Sequence, residues 1–155
     1  MMALYVFDAN VWIDLGRHQP PDIYVNLWKL IDAAIADGTI RSPEEVLIEL
    51  QVGADNLAAT LKQREGLFVP PDEAVQLAIQ EITDNCDGFV DPDGDRDRGD
   101  PFVVALAKER GGVVVTKERP RRGPTGRPRI PDACAQFEVP CLHWFDFLKV
   151  IGWQL

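Results

Sequence analysis

The sequence predicts an α/β fold, a doubly wound sheet of four or five mainly parallel strands, on three observations. Short β-prone runs alternate with segments whose apolar residues recur every three or four positions, the pattern of strands joined by crossover helices. Leu4-Tyr5-Val6-Phe7 is apolar throughout and ends abruptly in Asp8-Ala9-Asn10. Val113-Val114-Val115-Thr116 is a second uninterrupted run, and both read as buried strands. With no internal repeat and no separating linker, the 155 residues form one domain, 1–155, of a size that buries roughly two thirds of its unfolded surface.

The first strand, Ala3–Phe7, leads into a short helix near Val11–Arg17. Pro20-Pro21-Asp22 then opens a longer helix with Ile23, Leu27, Leu30, Ile31, Ala34 and Ile35 on one face and Gly38 as its stop. Thr39–Arg41 is a second short strand. Ser42-Pro43-Glu44-Glu45 reads as a helix start, with Ser42 as N-cap, Pro43 in the first turn and Glu45 closing a capping box. That helix runs through Val46, Leu47, Glu49 and Leu50 to Gly53, and another covers about Ala54–Arg64. Leu67–Val69, halted by Pro70-Pro71, is a small edge strand. Asp72 caps a helix carrying Val75, Leu77, Ala78, Ile79 and Ile82. From Asp84 to Asp100 the chain is an acidic loop broken by Gly and Pro. Asp100-Pro101 starts the next helix, Asp as N-cap and Pro at its first position, with Phe102, Val103, Leu106 and Ala107 buried. Gly111-Gly112 ends it before the Val113–Thr116 strand. A basic loop, Pro120–Pro131, precedes a short helix from Asp132, a last strand at about Pro140–His143 and an apolar closing helix, Trp144–Ile151.

The net charge of −9, from 16 Lys and Arg against 25 Asp and Glu, excludes a general nucleic-acid coat protein, whose affinity comes from cations neutralising phosphates. The charge is unevenly placed. Lys117, Arg119, Arg121, Arg122, Arg127 and Arg129 are six of the 16 basic residues and have one acid among them, Glu118. Cys86, Cys134 and Cys141 are odd in number and lack C-x-x-C spacing, so they read as buried free thiols rather than a disulfide framework or a zinc site. No basic residue precedes Arg17 and no apolar run approaches a membrane span, so a cytoplasmic protein without membrane association is expected.

Ligands of such sheets sit at the carboxyl ends of the strands, where the acids fall. Asp8 leaves the first strand, Asp100 opens the helix before the Val113 run, Glu118 follows Thr116 by two residues, and Glu49 lies one turn beyond Glu45. Asp8 and Asp100 each have an alternative reading as a helix cap. Like charges gathered in one cleft raise each other's pKa, and a protein keeps such a cluster when a cation neutralises it. Oxygen ligands without paired Cys or His select hard ions such as Mg2+, one or two of which activate water and stabilise the leaving oxygen of a phosphodiester. Metal-dependent phosphoester hydrolysis is the implied chemistry.

The same residues resemble a known family, the PIN domains. Asp8-Ala9-Asn10-Val11-Trp12-Ile13 is similar to their D-x-N-[VI]-x-[IL] opening, and Glu49-Leu50 with Gly53 to the E-L-x-x-G end of their second-acid helix. Asp100 through Ala107 resembles the D-x-x-[IV]-[VA]-A-x-A helix carrying the third acid. Val113–Glu118 resembles the strand ending T-x-D, with Glu in place of Asp. The resemblance spans almost the whole chain and implies a Rossmann-like three-layer α/β/α sandwich. It further implies Mg2+ or Mn2+ as cofactor, held by Asp8, Glu49, Asp100 and Glu118, and endonucleolytic hydrolysis of RNA. A homodimer is implied, and so is the role of toxin in a toxin–antitoxin pair, with an antitoxin as partner. Arg129-Ile130-Pro131-Asp132-Ala133-Cys134 resembles a less characterised PIN-like subfamily and leaves the fourth acid open between Glu118 and Asp132.

Asn10 and Thr116 are placed to orient water or a phosphate, and Glu45 is a secondary site candidate after its capping role. Arg121, Arg122, Arg127 and Arg129 are candidates for binding substrate, since guanidinium groups clamp phosphates bidentately; the alternative is a solvated segment. Asp91–Asp95 lacks the Gly and Glu that a calcium loop needs at its sixth and twelfth positions, and reads as an acidic loop from which Asp95 or Asp97 lends a secondary carboxylate. His18 and His143 are given no catalytic role; Trp144, Phe145, Phe147 and Leu148 read as core or a dimer face. Two other functions stay open. A phosphate-accepting regulatory domain would leave Glu49 and Glu118 idle, and acids at all four places argue against an inactive PIN-like scaffold. No G-x-G-x-x-G follows the first strand, which excludes dinucleotide binding.

Overall fold

Tyr5, Val6 and Phe7 are all buried, and a strand covered on both faces needs strands beside it and helices above and below. In the computed structural model, which describes residues 3–53, 56–90 and 100–155, this strand, β1 (Tyr5–Phe7), is the middle of five. The others are β2 (Ile40–Pro43), β3 (Phe68–Val69), β4 (Val113–Thr116) and β5 (Cys141–His143). Their order is β3-β2-β1-β4-β5 and every pairing is parallel. Phe7 lies opposite Val115, and Thr116 opposite His143.

Helices make every crossover. Between β1 and β2 run α1 (Ala9–His18) and α2 (Val25–Ala36), and between β2 and β3 run α3 (Glu44–Gln51) and α4 (Leu57–Lys62). Then α5 (Glu73–Asn85) and α6 (Asp100–Arg110) lead to β4, α7 (Ile130–Gln136) leads to β5, and α8 (Trp144–Ile151) follows it. Val103–Ala107 are consecutively buried, so α6 must be covered all round; it packs on β1, β2 and β4 and against α5 and α7. On the Tyr5 and Phe7 side of β1, the rings of Trp12, Trp144 and Phe147 meet Phe7 at centroid distances of 5.0, 5.9 and 5.2 Å. Trp144 and Phe147 are therefore core, while Phe145 is exposed. Among the described residues no helix is long and apolar enough to cross a membrane.

Several local expectations are corrected. Ser42 belongs to β2, where its hydroxyl accepts from Trp12 Nε1 at 2.9 Å and donates to the Phe7 carbonyl at 2.7 Å. A buried indole N–H needs a partner, so this hydroxyl is unavailable to cap a helix. Pro43 stands at the N-cap of α3 without a side-chain cap, and Glu45 closes no capping box. Ile23 is 71% exposed because it lies in the turn before α2, and Leu77 is 67% exposed because α5 turns Val75, Ala78 and Ile82 inward instead. α1 starts at Ala9, directly after Asp8, and α7 starts at Ile130, which puts Asp132 in its first turn. The helix expected over Ala54–Arg64 is the shorter α4, with residues 54–55 outside the described residues. Asp91–Asp95 and Asp97 also lie outside them.

Candidate active site

The strand order reverses direction between β1 and β4, and the crevice beyond their carboxyl ends is the binding position of a doubly wound sheet. Asp8 enters it first. Its N–H continues the ladder to the Val115 carbonyl at 3.0 Å, and its side chain is 2% exposed. Oδ1 accepts from the Ala9 N–H at 2.7 Å as α1 begins, and Oδ2 accepts from the Thr116 hydroxyl at 3.0 Å. The carboxylate thus caps the helix and faces the end of β4 at once. Its pKa is raised well above the ordinary 3.8, first by burial, then by the charges of Glu118 and Glu49, against the lowering effect of the Thr116 hydrogen bond.

Thr116 and Asn10 join the two strand ends. The Thr116 oxygen also accepts from Asn10 Nδ2 at 3.3 Å and from the Glu118 N–H at 3.1 Å, while Asn10 Oδ1 accepts from the Lys117 N–H at 3.0 Å. Lys117 pairs with Asp14 on α1. Both residues therefore set the backbone that carries Glu118. Glu118 is half-buried and its Oε2 accepts from the Ile130 N–H at 2.9 Å.

Glu118 and Asp100 line one cleft of about 430 Å3, whose other wall includes Arg121, Arg122, Arg127 and Arg129. Asp100 is 7% exposed and lies in the first turn of α6, where the helix dipole favours an anion. Glu49, on α3, is half-buried and opens to a separate hollow beside Ile13, Arg17 and Leu57, although its charge reaches Asp8. Glu45 lies in the first turn of α3.

Asp132 does something else. Its Oδ2 accepts from the N–H groups of Arg121 at 3.0 Å and Arg129 at 2.8 Å, tying together the two ends of the basic loop. The loop is further held by Arg127, whose Nε and Nη2 donate to the carbonyls of Gly88 and Phe89 at 2.8 and 3.0 Å. Arg121 Nη1 donates to the Gly126 carbonyl at 3.2 Å. It is a folded wall rather than a solvated tail. Of the two acids contending for the fourth place, Glu118 shares the cleft with Asp100 and Asp132 anchors the wall.

The donor set suits a hard divalent ion, because it is all oxygen and because carboxylates crowd a buried Asp8 whose charge a cation would relieve. Among the described residues, however, no three His, Cys, Asp or Glu side chains are gathered as an assembled ion site.

Sequence reasoning missed a coupling of two thiols near these acids. Cys134 on α7 and Cys141 on β5 act on one another's protonation. The neighbouring Cys141 pushes the Cys134 thiol far above its ordinary pKa, while Cys134 lowers that of Cys141. No local spacing signals this, since a strand and a helix bring the two together. His143 is also more than a strand residue: its Nδ1 accepts from the Phe145 N–H at 3.3 Å as the cap of α8.

An all-parallel sheet in this order gives an α/β protein with a PIN-like fold. The chain belongs to the family described as a domain of unknown function, DUF4411, whose model matches residues 5–155. No curated protein matches it by sequence. Solved structures share the fold. FitAcB from Neisseria gonorrhoeae is 18% identical, with a TM-score of 0.55 over 90% of this chain and 96% of that one. DNA-bound VapBC from Salmonella typhimurium is 18% identical, with a TM-score of 0.59 over 92% and 99%. VapBC2 from Rickettsia felis, bound to a promoter DNA fragment, is 15% identical, with a TM-score of 0.56 over 91% and 98%.

Proposed function

We propose that this protein is a metal-dependent endoribonuclease and the toxin of a toxin–antitoxin pair, acting in the cytoplasm as a homodimer. The observation that carries the reading is the place of Glu118. Its charge acts on buried Asp8 on one side, and on the other it shares with Asp100 a cleft walled by arginines. Acids to hold an ion and cations to hold a phosphate chain thus face the same space.

Asp8, Glu49, Asp100 and Glu118 are the residues that would hold Mg2+ or Mn2+. Such an ion, when bound, supplies Lewis acidity and neutralises charge developing on a phosphodiester. Thr116 and Asn10 keep Asp8 and the Lys117–Glu118 backbone in register. The arginine wall draws the RNA backbone toward a cleft that would otherwise repel it, with Arg122, Arg127 and Arg129 exposed and Arg121 half-buried. An antitoxin partner is supported by the assemblies with this fold, FitAcB and VapBC.

The inactive-scaffold reading draws on one observation, the lack of an assembled ion site among the described residues. One experiment separates the two. A panel of RNA and DNA substrates is incubated with Mg2+, Mn2+ or EDTA, beside Asp8→Asn and Asp100→Asn proteins. Cleavage of RNA that needs the metal and fails in both variants is expected; metal-independent cleavage, or full activity in both variants, refutes the proposal.

A further inference from the structure

Glu118 lines two clefts. One is the arginine-walled space it shares with Asp100, and the other, of about 380 Å3, includes Thr116, Arg119, His143 and Asp146. A hollow of that size falls within the range of small-ligand sites. Two aromatic rings stand at this second cleft. His143 ends β5, and its Nδ1 accepts from the Phe145 N–H at 3.3 Å, which fixes the imidazole at the start of α8. The Phe145 ring lies 5.4 Å from the His143 ring, with 35° between their planes. Its outward position follows from its neighbours. Trp144 and Phe147 pack on Phe7 in the core, so α8 turns Phe145 to the outside, where it is 59% exposed.

A lone exposed apolar ring carries no meaning by itself. This one has a cation over it: Lys117 Nζ, held by Asp14, lies 5.8 Å from the ring centroid, and Lys117 is the residue between Thr116 and Glu118. Arg119, on the other side of Glu118 in the chain, is exposed and lines the same cleft as His143. Rings interleaved with cations, continuous with a cleft walled by arginines, are the composition of surfaces that hold single-stranded nucleic acid, where bases stack on the rings and cations follow the phosphates. Asp146, which also lines the second cleft, repels phosphate and offers an acceptor to the N–H groups of a base. We propose that Phe145, backed by His143, is a stacking shelf for one unpaired RNA base, with Arg119 on the phosphate beside it. That this base adjoins the bond to be cut at Glu118 rests on the nuclease reading above; its binding to the shelf does not.

The test measures binding by the full chain in EDTA, so that no strand is cut. Stacking tolerates any base, so an oligouridylate serves as the probe, and its duplex with oligoadenylate, whose bases are already stacked in the helix, is the control. Phe145→Ala should weaken binding of the single strand by roughly 5- to 150-fold, the worth of stacking one base, and leave binding of the duplex unchanged. The slope of log affinity against log salt should stay as it is, because no phosphate contact is lost. Phe145→Leu, which keeps apolar bulk without a ring, should bind as weakly as Phe145→Ala, and Phe145→Tyr should restore the parent affinity. All three should melt with the parent, since the side chain is exposed. Full binding by Phe145→Leu, or an equal loss on the duplex, overturns the proposal. So does a dimer that Phe145→Ala dissolves while RNA binding is unchanged, which gives the ring to a second copy of the chain. A protein whose binding depends on Phe145 but which cuts no RNA with Mn2+ would refute the nuclease reading and leave the shelf standing.

Discussion

The Thr116 hydroxyl donates to Asp8 Oδ2 at 3.0 Å while accepting the Glu118 N–H at 3.1 Å, so one buried side chain holds the ends of β1 and β4 together. Removing it leaves a buried carboxylate oxygen without its donor. Thr116→Val is expected to cost about 1–3 kcal/mol, the range for an unsatisfied buried polar group, and Thr116→Ser to restore most of it. Urea denaturation of the three proteins measures the difference.

Asp8 carries a folded-state pKa raised above 3.8 by burial, Glu118 and Glu49. Its ionised form is therefore disfavoured by folding, and the sign follows. The protein pays nothing for Asp8 below the unfolded value and loses stability as pH rises toward the folded one. Asp8→Asn keeps the helix cap through its amide oxygen, turns its amide nitrogen to the Thr116 hydroxyl as a donor, and carries no charge. In EDTA its melting temperature should match that of the parent at acid pH and exceed it at neutral pH, with thermal melts across that range as the check. RNA cleavage should be lost.

Glu118 and Asp132 should separate by phenotype. Glu118→Gln leaves the fold intact and abolishes cleavage. Asp132→Ala frees the Arg121 and Arg129 N–H groups and destabilises by about 1–3 kcal/mol, raising KM more than it lowers kcat as the arginine wall loosens. Thermal melts beside steady-state cleavage kinetics distinguish them. Equal loss of kcat without destabilisation in both variants would reject this division of labour.

Within the wall, Arg122 is exposed and Arg127 is bonded to the Gly88 and Phe89 carbonyls. Arg122→Ala should weaken RNA binding and reduce the slope of log affinity against log salt by about 0.7, the single-strand value for one phosphate contact, without changing the melting temperature. Arg127→Ala should lower both. Salt-dependent binding titrations and melts on the two variants read these outcomes.

Much of the fold was legible because its signals are local. The runs around Tyr5–Phe7 and Val113–Thr116 read as buried strands wherever they lie in the order, since an interior suits such apolar runs. Asp72 reads as the cap of α5, and its Oδ1 accepts from the Val75 N–H at 2.9 Å. Ser42 misled because Ser before Pro-Glu-Glu is a good helix start locally, and only the indole of Trp12, 30 residues away, claims its hydroxyl. By spacing Asp132 suits the fourth acidic place as well as Glu118 does, and only the fold shows its Oδ2 accepting from the backbone N–H groups of Arg121 and Arg129.

The sequence by itself determined the elements, the acids that leave their ends and the basic loop, because period, capping and charge are properties of short stretches. Tertiary structure alone decided which acids share a space. The order β3-β2-β1-β4-β5 sets Asp8 beside Thr116, 108 residues away, and lets Glu118 and Asp100 line one cleft while Glu49 opens to another. Those relations depend on strand order and on the long-range hydrogen bonds of Thr116, Ile130 and Asp132, which no local pattern contains.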